Sequence, residues 1–187
     1  MQKNFSHLPK ILTLNDLITP FEEDRSGSTI DELATHYFPG QEIDVMSIDI
    51  DGLDHLILKN MRLRPKLIII EGGMFWHPQM ELEVPDDVAK QGVQQPLIVM
   101  TRIAKNKGYS LICSTFNAFY IRDDLHHFFS HIENDPVQIW IEALLHMRNV
   151  LPNFVPKFFQ IRESPLIRDW EMKDLNIVDP INNESFK

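Results

Sequence analysis

Apolar residues along this chain fall into runs of two kinds. Val45-Met46-Ser47-Ile48-Asp49-Ile50 and Leu67-Ile68-Ile69-Ile70 are short, nearly continuous and rich in β-branched residues, the pattern of strands buried in a sheet. Between them Leu53, Leu56, Ile57 and Met61 recur at helical spacing, predicting a helix over about 53–61 with one face on that sheet. Strand, helix and strand in succession make a parallel βαβ unit, so the fold class is α/β.

The flanking pattern extends this unit in both directions. Residues 11–18 read as a short strand running into a short helix, closed by Thr19-Pro20, and 21–29 as a polar loop. Thr29 followed by Glu32 is a capping pair for a helix over 30–38 that Pro39-Gly40 stops. Residues 72–95 show no period and read as one long irregular segment, a length that points to function or disorder. Pro96 suits the start of a helix carrying Leu97, Met100, Ile103 and Ala104 on one face, with Lys105, Lys107 and Gly108 closing it. Tyr109–Ser114 and Ala118–Arg122 read as strands joined by Thr115-Phe116-Asn117. That turn is too short for a parallel crossover, so the last strand runs antiparallel. A stripe of Val137, Trp140, Ile141, Leu144 and Leu145 predicts a helix over 136–150, and order weakens beyond Pro152.

Composition narrows the function classes. The chain has 187 residues, 43% of them hydrophobic, which suffices for one domain with a real core. A formal charge of −9, with Lys and Arg scattered, argues against a nucleic-acid partner. No apolar run approaches the roughly 20 residues of a membrane helix, and the N-terminus lacks a signal-like apolar stretch. The reading is of a soluble, cytoplasmic protein that contacts no membrane. The single cysteine, Cys113, cannot form an internal disulfide and reads as inert core in a reducing compartment.

Candidate chemistry gathers where the two apolar strands end. The first delivers Asp49 and Asp51, with Gly52 and Asp54 just after, and the second delivers Glu71. Ligands of open α/β sheets sit at the carboxyl edge of the parallel strands. Asp49, Asp51 and Glu71 are therefore the candidate catalytic set, able to orient a substrate hydroxyl, accept its proton or bind a divalent metal. Asp54 either joins them as a substrate contact or caps the following helix. His77, beside Trp76 in the long segment, and Asn117, in the hairpin turn, are candidate substrate contacts; a surface loop role and a turn role are their plainer explanations. His127 and His131 stand at the spacing of a helical metal pair, with a solvated helix face as the alternative.

Four segments in order carry a family resemblance: Leu12-Thr13-Leu14-Asn15-Asp16-Leu17, Ser47 to Asp54, Pro65 to Glu71, and Lys107 to Asp124. They resemble the C-terminal half of the FkbM-like S-adenosylmethionine-dependent methyltransferases, over roughly residues 11–125. The resemblance implies a partial Rossmann-like sheet of the class I methyltransferase type, with an antiparallel C-terminal hairpin and a helical tail. It divides the chain into a lead-in (1–43), a methyltransferase-like half domain (44–125) and the tail (126–187). It further implies O-methyl transfer to a small-molecule or glycan hydroxyl, with S-adenosylmethionine as cofactor. The half that binds the cofactor has no counterpart in these residues, and their seven glycines form no glycine-rich turn ahead of a helix. Without that half the Val45–Ile50 strand lies on a sheet edge, which predicts a homo-oligomer or a partner chain. Two rivals remain. Asp49-Ile50-Asp51-Gly52 also resembles the strand end of haloacid-dehalogenase-like phosphatases, with Asp123-Asp124 imitating their metal-binding acids. The other is a non-catalytic partner subunit.

Overall fold

The computed structural model describes residues 18–20, 27–73, 76 and 78–150, the side chains of 148–150 excepted. It is a mixed α/β arrangement built on an open four-stranded sheet. The strands are β1 (Val45–Ile48), β2 (Leu67–Glu71), β3 (Tyr109–Ser114) and β4 (Asn117–Arg122), in the order β1-β2-β4-β3. β1 and β2 are parallel, with Val45 opposite Leu67 and Ile48 opposite Ile70. β4 runs antiparallel to both β2 and β3, as the short turn requires.

Helix α1 (Ile30–Tyr37) starts on the reciprocal capping box of Thr29 and Glu32. Helix α2 (Asp54–Asn60) connects β1 to β2, α3 (Asp86–Ala89) is a single turn, and α4 (Leu97–Asn106) precedes β3. Gly108, at φ +76°, supplies the left-handed residue that turns α4 into β3. After a 3-10 segment (Asp123–Phe129), α5 (Pro136–Val150) packs on both α4 and β3.

Strand alternation assigns the core. Met46, Ile48, Ile68, Ile70, Leu111, Ala118 and Tyr120 join one cluster with Leu58 of α2, Met100 of α4 and Trp140 and Leu144 of α5. Each large side chain buried there contributes about 1.5–3 kcal/mol relative to exposure. The two buried tyrosines keep their polar ends satisfied, Tyr109 donating to the Pro65 carbonyl at 2.7 Å and Tyr120 sharing a hydrogen bond with Thr101 at 3.2 Å. Trp140 and Leu144 of the α5 stripe thus enter the same core as the sheet and Ile141 packs partly against it, whereas Leu145 is exposed.

Four expectations are corrected. The first strand ends at Ile48, two residues early, because the Ile50 amide donates to the Asp54 side chain and leaves the ladder. The segment 72–95 holds structure of its own. Trp76, Met80, Val84 and Ala89 form a second small core, α3 lies within it, and the Gln95 side-chain amide pairs with both backbone groups of Val84. Its apolar residues follow neither strand nor helix period, so periodicity could not detect it. His127 lies in the 3-10 segment and His131 in the turn beyond it, so they do not share a helix face. Cys113 is exposed beside a bulge in β3 and is not core. Residues 11–17 of the predicted lead-in lie outside the described residues.

Candidate functional site: an acidic cluster at the strand ends

The carboxyl ends of β1 and β2 do bring the acids together. Asp49, Asp51 and Glu71 each offer a carboxylate oxygen, and these oxygens lie within 4.8 Å of one another. Asp49 follows β1, Asp51 sits in the turn beyond it and Glu71 is the last residue of β2. Asn117 stands opposite Glu71 in the β2–β4 register, which places it at the same edge. His77 lies outside the described residues.

The turn that carries Asp51 is built tightly. Asp51 has a left-handed backbone, φ +54°, a conformation that aspartate tolerates better than most residues. Gly52 follows at φ +112°, and a Cβ there would meet the Ala89 carbonyl oxygen at 2.1 Å. Only glycine lets α3 close over this turn. Asp54, 2% exposed, accepts from the Ile50 amide at 3.0 Å and from the Gly52 amide at 2.9 Å. Both of its oxygens are engaged by backbone, so it shapes the turn that presents Asp49 and Asp51 to solvent. His55 completes the clamp, its Nδ1 at 3.2 Å from the Gly52 carbonyl and its Nε2 at 3.3 Å from Asp86 of α3.

Electrostatics separate Glu71 from the other acids. Its carboxyl is held above its ordinary range, first by burial and then by Asp49, Asp54 and Asp51, while the side-chain amide of Gln94 pulls the other way. One of its oxygens is buried without a hydrogen-bond partner among the described residues. Like charges this close are relieved either by a proton on one carboxylate or by a cation between them. An all-oxygen set of this kind suits Mg²⁺, Mn²⁺ or Ca²⁺. Chemically, then, the cluster can take a proton on Glu71 more readily than an ordinary carboxylate does, or hold a hard divalent cation.

Reading the sequence alone missed His55, Asp86 and Gln94. Each acts across a loop, from 31 residues away in the His55–Asp86 pair, and no local spacing signals such a contact. A cleft of about 490 Å³ lies on the other side of α2, lined by His55, Lys59, Asp86, Gln95, Arg102 and Lys107 among others. None of the three clustered acids lines it. Its charged groups are largely engaged already, Arg102 with Glu83 and His55 with Asp86. The strand-end cluster is the better candidate on chemistry. Asp123 and Asp124 fall at the opposite end of the sheet, where Asp124 is bound by Arg122, so they do not supply metal-binding acids beside Asp49.

No protein-family model, curated protein or solved structure matches this chain.

Proposed function

We propose that the chain forms the acceptor-side half of an S-adenosylmethionine-dependent O-methyltransferase-like domain, which binds a small-molecule or glycan hydroxyl at the strand-end acids. One observation carries the reading: two parallel strands joined by a helix converge three carboxylates at their carboxyl edge. The antiparallel last strand, in the order that the FkbM-like resemblance implies, supports it. Asp49 and Asp51 are exposed and orient the hydroxyl as hydrogen-bond acceptors. Glu71, with its raised proton affinity, is the group suited to take the hydroxyl proton, because a base works best when its pKa lies near the working pH. Asn117 borders the acceptor, and Asp54 and His55 hold the turn in place.

The described residues do not fit the cofactor. Gly52 and Gly73 are packed against other backbone, where a Cβ would meet the carbonyl oxygens of Ala89 and Gln95, the Gly52 amide is taken by Asp54, and no glycine turn among the described residues opens toward a helix N-terminus. The reading is tested in two parts. Calorimetry on this chain should show no micromolar S-adenosylmethionine binding. The coding sequence preceding Met1, or a co-expressed chain, should supply a glycine-rich turn, and the combined protein should transfer label from methyl-labelled cofactor to a hydroxyl acceptor. Loss of transfer in Glu71→Gln, with acceptor binding retained, is expected. Magnesium-dependent hydrolysis of an aryl phosphate, abolished by Asp49→Asn, would instead favour the phosphatase reading.

A further inference from the structure

We propose that the cleft between α2 and α4 binds a sugar phosphate, a phosphate monoester of a small hydroxylated molecule, with Lys59, Arg102 and Lys107 holding the phosphate. The proposal rests on groups away from the strand-end acids and stands whether or not the methyltransferase reading does.

The fold brings the carboxyl ends of two helices together. β2 and β3 both run antiparallel to β4, so they are parallel to each other. The helices that precede them, α2 and α4, pack side by side in one core and point the same way. Their ends meet where the Lys107 ammonium donates to the Lys59 carbonyl at 3.2 Å. The cleft of about 490 Å³ is lined by Lys59 from α2, Arg102 and Asn106 from α4, Lys107 beyond α4, and Glu83 and Asp86 from the preceding segment. Small-molecule sites span about 300–1,000 Å³, so there is room for more than a bare phosphate.

Charge selects the ligand. The chain carries a formal charge of −9, yet cations gather at this end of the cleft. Lys59 and Lys107 form no ion pair among the described residues. Arg64 adds a further cation behind them, its guanidinium donating to the Lys107 carbonyl. Asp31 acts on Lys107 from a distance, but its carboxylate is taken by the backbone amides of Arg62 and Leu63. Burial first, and Arg64 after it, hold the Lys107 ammonium below the ordinary lysine range against the pull of Asp31. The dipole of a helix end favours a nearby cation, which accounts for Lys107 at the Lys59 carbonyl. Arg64 works against that cap, and an arriving anion would relieve the repulsion.

Two unpaired lysines call for a dianion, and a phosphate monoester supplies one with three acceptor oxygens. Arg102 can make a third contact, because its pair with Glu83 is solvent-exposed, at 49% and 65%, and such pairs exchange at little cost. The rest of the lining is polar. The Glu83 and Asp86 carboxylates can accept hydroxyl hydrogens, and the Asn106 amide offers both a donor and an acceptor. That lining suits a hydroxylated body rather than an apolar one.

The test is titration calorimetry on the purified chain with ribose 5-phosphate, at neutral pH and with a chelator present so that no cation sits at the strand-end acids. Ribose 5-phosphate is expected to bind with a Kd below about 1 mM. Ribose and inorganic phosphate, which each lack one half of the contacts, should bind at least about tenfold more weakly, and added salt should weaken the sugar phosphate. Lys59→Met and Arg102→Met change exposed side chains, so both variants should keep the melting temperature of the parent. Each should weaken ribose 5-phosphate by about tenfold, as loss of one charge-assisted contact implies. No binding of ribose 5-phosphate would overturn the proposal, as would ribose or inorganic phosphate binding equally well. Parent-like affinity in both variants would overturn it too, because the phosphate would then lie elsewhere.

Discussion

The two ends of the β1–β2 pair hold similar numbers of acids and treat them in opposite ways. At the amino end Lys66 binds both Glu42 and Asp44, and Arg122 binds Glu42 and Asp124. Hydrogen bonding to Lys66 holds the Glu42 carboxyl below its usual range, and Arg122 does the same for Asp124. At the carboxyl end Asp49, Asp51 and Glu71 crowd together, and Glu71 is pushed up. The first end is a neutralised surface network. The second stores repulsion that the fold must offset elsewhere, through the Asp54 cap, the Gly52 turn and the His55–Asp86 bridge. A fold gains nothing in stability from such an arrangement, which is why the carboxyl end is the place to look for function.

Substitutions at the two ends can break or sharpen this contrast. Gly52→Ala should have the largest effect, about 3 kcal/mol of destabilisation by urea unfolding, since it adds strain at a positive φ and a clash with Ala89. A loss well below that would mean α3 does not close on the turn. Asp54→Ala comes next, at about 2 kcal/mol, because two backbone amides lose their acceptor. Asp54→Asn keeps at most one acceptor oxygen and should fall between.

Glu71→Gln is predicted to act with the opposite sign. A carboxyl raised above its unfolded value contributes its stability below the unfolded pKa and loses it as pH rises through the folded one. The parent should therefore lose stability from acidic toward neutral pH, while Glu71→Gln loses less. Melting curves should show the variant more stable at neutral pH and equal to the parent in acid. Identical pH profiles would show that the crowding at this end is not felt. Lys66→Met, at the other end, should change the melting temperature least of these variants, with even that change vanishing at high salt, as expected of solvent-exposed pairs.

Much of the scaffold was legible in the residues. Thr29 and Glu32 announced α1, Pro96 and Gly108 bracketed α4, and the short turn after Ser114 dictated an antiparallel β4. The acids at the site were legible as well, since strand alternation and strand ends are local properties. The role of Asp54 was not, because its sequence position fits equally a ligand contact and a cap; the deciding amides belong to Ile50 and Gly52 in a folded turn. The internal order of 72–95 was equally hidden. Its small core depends on Trp76, Met80, Val84 and Ala89 meeting across irregular chain, which no period encodes.

By itself, then, the sequence determined the α/β class, the order of elements and which carboxylates end the strands, because each follows from near-neighbour sterics and periodic burial. Tertiary structure alone decided that β4 inserts between β2 and β3, that α3 seals the Gly52 turn, and that Glu71 becomes the acid with raised proton affinity. Those outcomes depend on distances between residues far apart in the chain. Burial and repulsion act through space, and only the packed fold sets them.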